Sequence, residues 1–430
     1  MNAQVHNLYH RNIQDKQEPN PLNYYSPCSF NTKQNETKNN TSMTYQQGIH
    51  ATVIPVPMAP SAPAHVATRH YNISSGKSQD ITEEQEKALN KQGFTTGLAR
   101  SLSDNNTNFP LRIWIVDNSG SMQKADGHRI IPTTTKNDLK IVGCTRWDEI
   151  RECAQYHIEM SALLEAPTSF RLLNNPGASV GPAQFDIAQM GTNMINSEVS
   201  KATQIMTKAR PGGVTPLTEH ISAIHETVQG IAHTLELEGK RVVIVIATDG
   251  LPTDDYGNAS RNAKDMFVQS LRALEGLPVW LVVRLCTDEE DVVNFYNSLD
   301  DMLELSMDVL DDFVGEAEEV YEHNKWLNYA LPLHRLREMG FYDRVFDMLD
   351  ERTLTKGELR DFCRLLFGIH NFDGVADPAV DWKDFLSSIE MLLSKEELQY
   401  NPVKKKLLPW INIKKLNTIY GDGSDGCTIM

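Results

Sequence analysis

The chain has 430 residues, with 41 Lys+Arg against 57 Asp+Glu and a formal net charge of −16. That length suits two or three domains of ordinary size, and an acidic balance disfavours non-specific nucleic-acid binding, which needs a basic stripe to release counterions. Six scattered cysteines with no C-x-x-C pair argue against a zinc ribbon or a disulfide framework and fit a reducing, cytoplasmic setting. The first residues carry no secretory pattern, and no run approaches the roughly 18 apolar residues of a membrane helix.

Residues 1–80 are rich in Asn, Gln, Ser and Thr and poor in large apolar groups. Such a segment cannot bury enough surface to offset chain entropy, so it reads as a disordered arm. Within it, Pro55, Pro57, Pro60 and Pro63 favour polyproline II, as a stiff linker or as a ligand for a proline-binding partner. Asn-x-Ser/Thr triplets at Asn35 and Asn40 read as chance in an Asn-rich tract.

A helical lead-in spans 81–108. Thr82-Glu83-Glu84-Gln85 has capping-box spacing and Gly93 is a helix stop. From 109 to 325 apolar runs alternate with helical patterns. Strands are expected at 111–116, 169–173, 185–190, 242–247, 278–285 and 302–307. Helices are expected at 146–165, 197–209, 217–238, 259–274, 289–299 and 308–323. Near-continuous Val, Ile and Leu in the strands indicate burial on both faces. The order therefore predicts a doubly wound, mostly parallel α/β sheet flanked by helices. Residues 326–400 form a small helical extension, with amphipathic segments at 342–349, 356–367 and 382–393. Residues 401–430 read as a tail, basic and then flexible.

In such sheets ligands bind beyond the carboxyl ends of the strands, where strand order reverses. Asp117-Asn118-Ser119-Gly120-Ser121 follows the first strand, and Thr248-Asp249-Gly250-Leu251-Pro252 follows the strand at 242–247. A Gly-rich loop, Pro211-Gly212-Gly213-Val214-Thr215-Pro216-Leu217, lies between them in sequence. Asp117, Ser119 and Ser121 alternate, so their side chains can share one side of an extended segment. An all-oxygen set of low charge suits a hard cation such as Mg²⁺ or Mn²⁺, and these loops offer no thiol or imidazole for zinc.

D-x-S-x-S, a distant Thr in a Gly-Gly loop, and T-D-G-x-P after a Val/Ile strand together resemble the von Willebrand factor A domain and its metal-ion-dependent adhesion site. The resemblance covers 109–325. It implies metal binding through the hydroxyls of Ser119, Ser121 and Thr215, with Asp117 and Asp249 bound directly or through water. It also implies a partner protein whose carboxylate takes the open metal position. Val214 departs from the usual Gly-Gly-Thr, which leaves Thr218 as an alternative to Thr215. Thr215 is preferred because Pro216-Leu217 matches the usual helix start.

No enzyme signature accompanies these loops. A phosphoryl-accepting Asp would need a second carboxylate where Ser119 stands, and no G-x-S-x-G elbow or G-x-x-x-x-G-K-S/T loop exists. His225-Glu226 begins a zinc-protease pattern that fails at Gln229. The chain is therefore read as a non-enzymatic interaction module. An adaptor or regulatory subunit of a larger enzyme assembly is the alternative, and a hydrolase a remote one. Between Asp288 and Glu322 there are 14 acidic residues and no Lys or Arg, which reads as a solvated acidic face or as a surface for a basic partner. The ending Cys427-Thr428-Ile429-Met430 fits a prenylation signal at Cys427. Upstream Lys404, Lys405, Lys406, Lys414 and Lys415 supply a basic second signal for peripheral membrane attachment.

Overall fold

Three strands of six or seven residues are buried along their whole length in the computed structural model, which describes Tyr71 and residues 81–421: β1 (Leu111–Val116), β6 (Val242–Thr248) and β7 (Val279–Leu285). Alternation splits their side chains between two cores. Ile113, Ile115, Ile244, Ile246, Leu281 and Val283 face one layer, and Trp114, Val116, Val243, Val245, Trp280 and Val282 face the other. Burial on both faces explains why these runs carry almost no polar residues.

The first half of the fold adds a hairpin, β2 (Gly127–Pro132) and β3 (Leu139–Cys144), then β4 (Thr168–Leu172) and β5 (Gln184–Ile187). The last strand of the main sheet is β8 (Met307–Leu310). The six-stranded sheet has the order β5-β4-β1-β6-β7-β8. All neighbours are parallel except β4 and β5. The chain thus builds outward from β1 to one side and returns to build the other side from β6. The reversal falls between β1 and β6, whose ends align at Val116 and Ala247.

Helices cover both faces. α1 (Glu83–Lys91) and α2 (Thr96–Asn108) lead in; α3 (Arg146–Leu163) and α4 (Ile195–Lys208) supply Ile150, Ile158, Ala202 and Ile205 to one layer. α5 (Leu217–Glu238), α6 (Arg261–Arg272) and α7 (Glu290–Met302) supply Ile221, Ile224, Phe267 and Tyr296 to the other. The capping box at Thr82 is formed in both directions with Gln85. After α8 (Phe313–His323) come α9 (Leu331–Glu338), α10 (Arg344–Glu351), α11 (Lys356–Phe367), α12 (Trp382–Leu393), the hairpin β9 (Gln399–Asn401) and β10 (Lys406–Leu408), and α13 (Ile413–Tyr420).

A third core joins the lead-in to these C-terminal elements. It contains Leu98, Leu102, Trp326, Leu336, Phe362 and Trp410, with Met160 and Leu164 from the end of α3. Gly97 sits where a Cβ would lie 2.3 Å from Gly368 N and Leu365 O, so α2 and α11 touch backbone to backbone. Residues 109–325 and 326–400 therefore share packed surface, and residues 81–421 fall within one compact unit.

Several expectations are corrected. The hairpin at 127–144 was not anticipated. Its turn, Thr133 to Asp138, is polar, and only one side of it is apolar: Ile130, Leu139 and Ile141 lean on the C-terminal core. The last strand lies at Met307–Leu310, because Met302 completes α7 and 307–310 pair with β7. The following helix starts only at Phe313, capped by Asp312. Residues 401–421, read as the basic part of a tail, pack on the third core through the buried Trp410, Ile411 and Leu416, and the stretch expected to be flexible lies beyond Gly421, outside the described residues. Tyr71, placed in the expected disordered arm, is buried, donates to Ser169 Oγ at 2.7 Å and accepts from Gln184 Nε2 at 2.9 Å. The rest of the arm, including the proline-rich segment, and Cys427 lie outside the described residues. Among those described, no helix is long and apolar enough to cross a membrane.

Candidate metal centre

The loops after β1 and β6 leave the sheet side by side at the point of reversal, where Asp117 N donates to Ala247 O at 2.9 Å. Asp117, Ser119 and Asp249 are buried, and Ser121 is partly so. A continuous chain of hydrogen bonds links them. Thr248 Oγ1 donates to Asp117 Oδ2 at 2.6 Å, and Ser119 N donates to Asp117 Oδ1 at 2.7 Å. Ser119 Oγ lies 3.0 Å from Ser121 Oγ, which donates to Asp249 Oδ1 at 2.7 Å.

The Gly-rich loop closes the third side. Gly120 N donates to Gly213 O at 3.1 Å, and Gly212 N donates to Asn118 O at 2.8 Å. Gly213 has φ +94°, and a Cβ there would stand 2.3 Å from Asn174 Oδ1, so glycine is required at this crossing. Asn174 Nδ2 holds Val214 O at 2.7 Å, while Asn118 exchanges two bonds with the Asn174 backbone. Thr215 is fixed from the other flank, donating its N–H to Thr253 Oγ1 at 2.9 Å. The space a Cβ on Gly250 would take lies 3.8 Å from both Ser121 Oγ and Thr215 Oγ1. The extra residue Val214 is absorbed by the loop, and the Thr215 hydroxyl lies on the same side of Gly250 as that of Ser121.

Burial raises the pKa of both carboxyls. Asp117 is pushed up to about 6, first by desolvation and then by the charge of Asp249. Asp249 is raised by desolvation and held back by Ser121 and Arg146. Two buried carboxylates around three hydroxyl oxygens form a pocket short of positive charge. That donor set suits a hard divalent cation, which Ser119, Ser121, Thr215, Asp117 and Asp249 would hold.

The motif reading missed the charges behind this set. Arg146, the first residue of α3, is buried and donates to Asp249 Oδ2 at 2.9 Å. Its fork grips Asp126 at 2.7 and 2.6 Å and reaches Glu289 Oε1 at 2.7 Å. Lys124 also pairs with Glu289. Nothing in the sequence around Thr145-Arg146 signals this role, because its three partners come from three distant loops.

The acidic stretch is likewise not simply solvated. Asp308, Glu316 and Asp350 converge on the buried Arg337 at 3.0, 2.5 and 3.2 Å. Asp312 pairs with His128 at 3.2 Å, and Glu289 with Arg146. His220 is a core histidine that donates Nε2–H to Leu173 O at 3.1 Å, and burial lowers it to about 4. Glu338 gathers His157 at 2.9 Å, Arg335 at 2.7 Å and Arg284 at 3.6 Å, and is held well below the usual carboxylate range. The two guanidiniums make this group with Cys153 an ion cluster and a poor cation site.

No family profile matches the chain, and no curated protein matches it in sequence. Among solved structures, a point mutant of the PilB minor pilin from Streptococcus sanguinis is similar at 16% identity and a TM-score of 0.31. The match covers 47% of this chain and 56% of the pilin chain.

Proposed function

We propose that this chain is a divalent-metal-dependent protein–protein interaction module of the von Willebrand factor A type, cytoplasmic and without catalysis of its own. The observation that carries the reading is the hydrogen-bonded set Asp117, Ser119, Ser121 and Asp249, with Thr215 beside it, at the reversal point of a mostly parallel sheet. When bound, Mg²⁺ or Mn²⁺ supplies an open coordination position for a carboxylate of a partner protein. The chain's own residues hold the ion, keep the two carboxylates apart, and present the position at the end of the sheet. Nucleic acid is not a partner on this reading. An adaptor or regulatory subunit that recruits a substrate to an enzyme assembly would use the same site.

Calorimetric titration of the full chain with Mn²⁺ tests the site. Binding is expected for the native protein and its loss for the Asp117→Ala, Asp249→Ala double variant. Equal binding by both sinks the reading. A pull-down repeated with EDTA tests the function, since partner capture should disappear with the metal. Attachment through a prenyl group on Cys427, with the lysines of 404–415 as the second signal, forms part of the proposal. An intact mass ending in unmodified Met430 would remove it.

A further inference from the structure

Arg146 is the one buried cation that touches the candidate ligand set among the described residues. Asp117, Asp249 and Arg146 are each nearly inaccessible to water, so their charges act on one another with little screening. Asp126 and Glu289, the other partners of Arg146, have side chains 55% and 46% exposed, so solvent screens them, and Glu289 is further matched by Lys124. The buried group thus carries two negative charges and one positive. A divalent cation added to it leaves a surplus of one positive charge in a low-dielectric pocket.

We infer that Arg146 is a positioning and specificity residue that makes cation binding depend on an incoming anion. This rests on the metal-site reading above and deepens it. The geometry supports a fixed rather than a mobile counter-charge. Asp249 has one oxygen on Ser121 and the other on Arg146, and the guanidinium is clamped from behind by both oxygens of Asp126. Arg146 therefore cannot swing away when a metal enters without breaking four charge-assisted bonds, to Asp249, Asp126 (two) and Glu289. The excess charge is cancelled from outside instead, by the carboxylate of the partner. Metal alone binds weakly, and metal plus carboxylate bind as a cooperative pair.

The test is Mn²⁺ titration of the full chain in chloride and in acetate at matched ionic strength, acetate serving as the carboxylate probe. Native protein is expected to bind Mn²⁺ several-fold more tightly in acetate. Arg146→Gln removes the counter-charge while keeping an amide for Asp249. It is expected to bind Mn²⁺ on the order of tenfold more tightly in chloride and to lose most of the acetate effect. Arg146→Lys keeps the charge and should keep the coupling. A folded Arg146→Gln protein that binds Mn²⁺ equally or more weakly overturns the inference. So does native protein whose Mn²⁺ affinity ignores acetate, a result that needs no variant to fold. Either result, with Mn²⁺ binding still abolished by Asp117→Ala, leaves the metal site standing and removes only the role of Arg146. Absence of Mn²⁺ binding by native protein overturns both.

Discussion

Asp117→Asn is expected to stabilise the metal-free protein while removing its response to metal. In the fold, Asp117 is inaccessible to water and its pKa moves from 3.8 to about 6. The sign follows from linkage. The unfolded chain releases this proton near pH 4 while the folded chain holds it to about pH 6, so stability falls across that window and stays lower at neutral pH. The full cost at neutral pH is about 3 kcal/mol at roughly 1.4 kcal/mol per unit. Asparagine is close in shape, but its amide cannot accept from both Ser119 N and Thr248 Oγ1. Thr248 has an alternative acceptor in Gly250 O at 3.4 Å, so the rearrangement is small. Allowing about 1 kcal/mol for the weakened hydrogen bonding, a net gain of about 2 kcal/mol remains. Urea unfolding in EDTA at about pH 7.5 reads this as a higher midpoint at unchanged slope. Mg²⁺ should then raise the midpoint of native protein and leave that of the variant in place. A variant no more stable than native in EDTA, or one that gains as much from Mg²⁺, would refute the argument.

Other buried carboxyls act in the same direction. Burial lifts Glu316 to about 8 and Asp311 and Asp347 to about 6, which lowers stability as pH rises, while buried His220, His157 and His334, with lowered pKa, act in the opposite sense up to about pH 6.5; between about pH 7 and 8 the Glu316 loss should stand alone. A flat or rising urea midpoint over that range would count against these assignments. Arg337→Met should cost about 3–5 kcal/mol, because Asp308 and Asp350 would lose their shared counter-charge and buried Glu316 its hydrogen-bond donor. Thermal unfolding of the variant at neutral pH checks this, with a shift under a few degrees contradicting it. Gly97→Ala should cost at least about 2 kcal/mol by driving a methyl into the backbone at Leu365 and Gly368. Gly230→Ala, on α5 with open space around it, should instead gain up to about 1 kcal/mol. Equal midpoints for the two alanine variants would show that α2 and α11 do not rely on this contact.

The central strands were legible because a strand buried on both faces must be apolar at every position, as at 242–247. Helix α5 was legible end to end, from Leu217 to Glu238, because Gly239 adopts φ +64° as its stop. The hairpin at 127–144 was hidden because it buries only one side and gains its packing from the distant C-terminal core. Folding of 401–421 was hidden for a related reason. Asn328, far upstream, bonds Gln399 O and Leu408 O, and Leu327 pairs with Ile411.

For the candidate site, local sequence determined the set of oxygen side chains. Asp117, Ser119, Ser121 and Asp249 sit at fixed offsets from strands whose ends any parallel sheet would align. Tertiary structure alone decided the charge of the pocket. Arg146 meets Asp126, Asp249 and Glu289 across separations of 20, 103 and 143 residues. Which charges end up buried together depends on the packed geometry of the chain, and no local pattern encodes it.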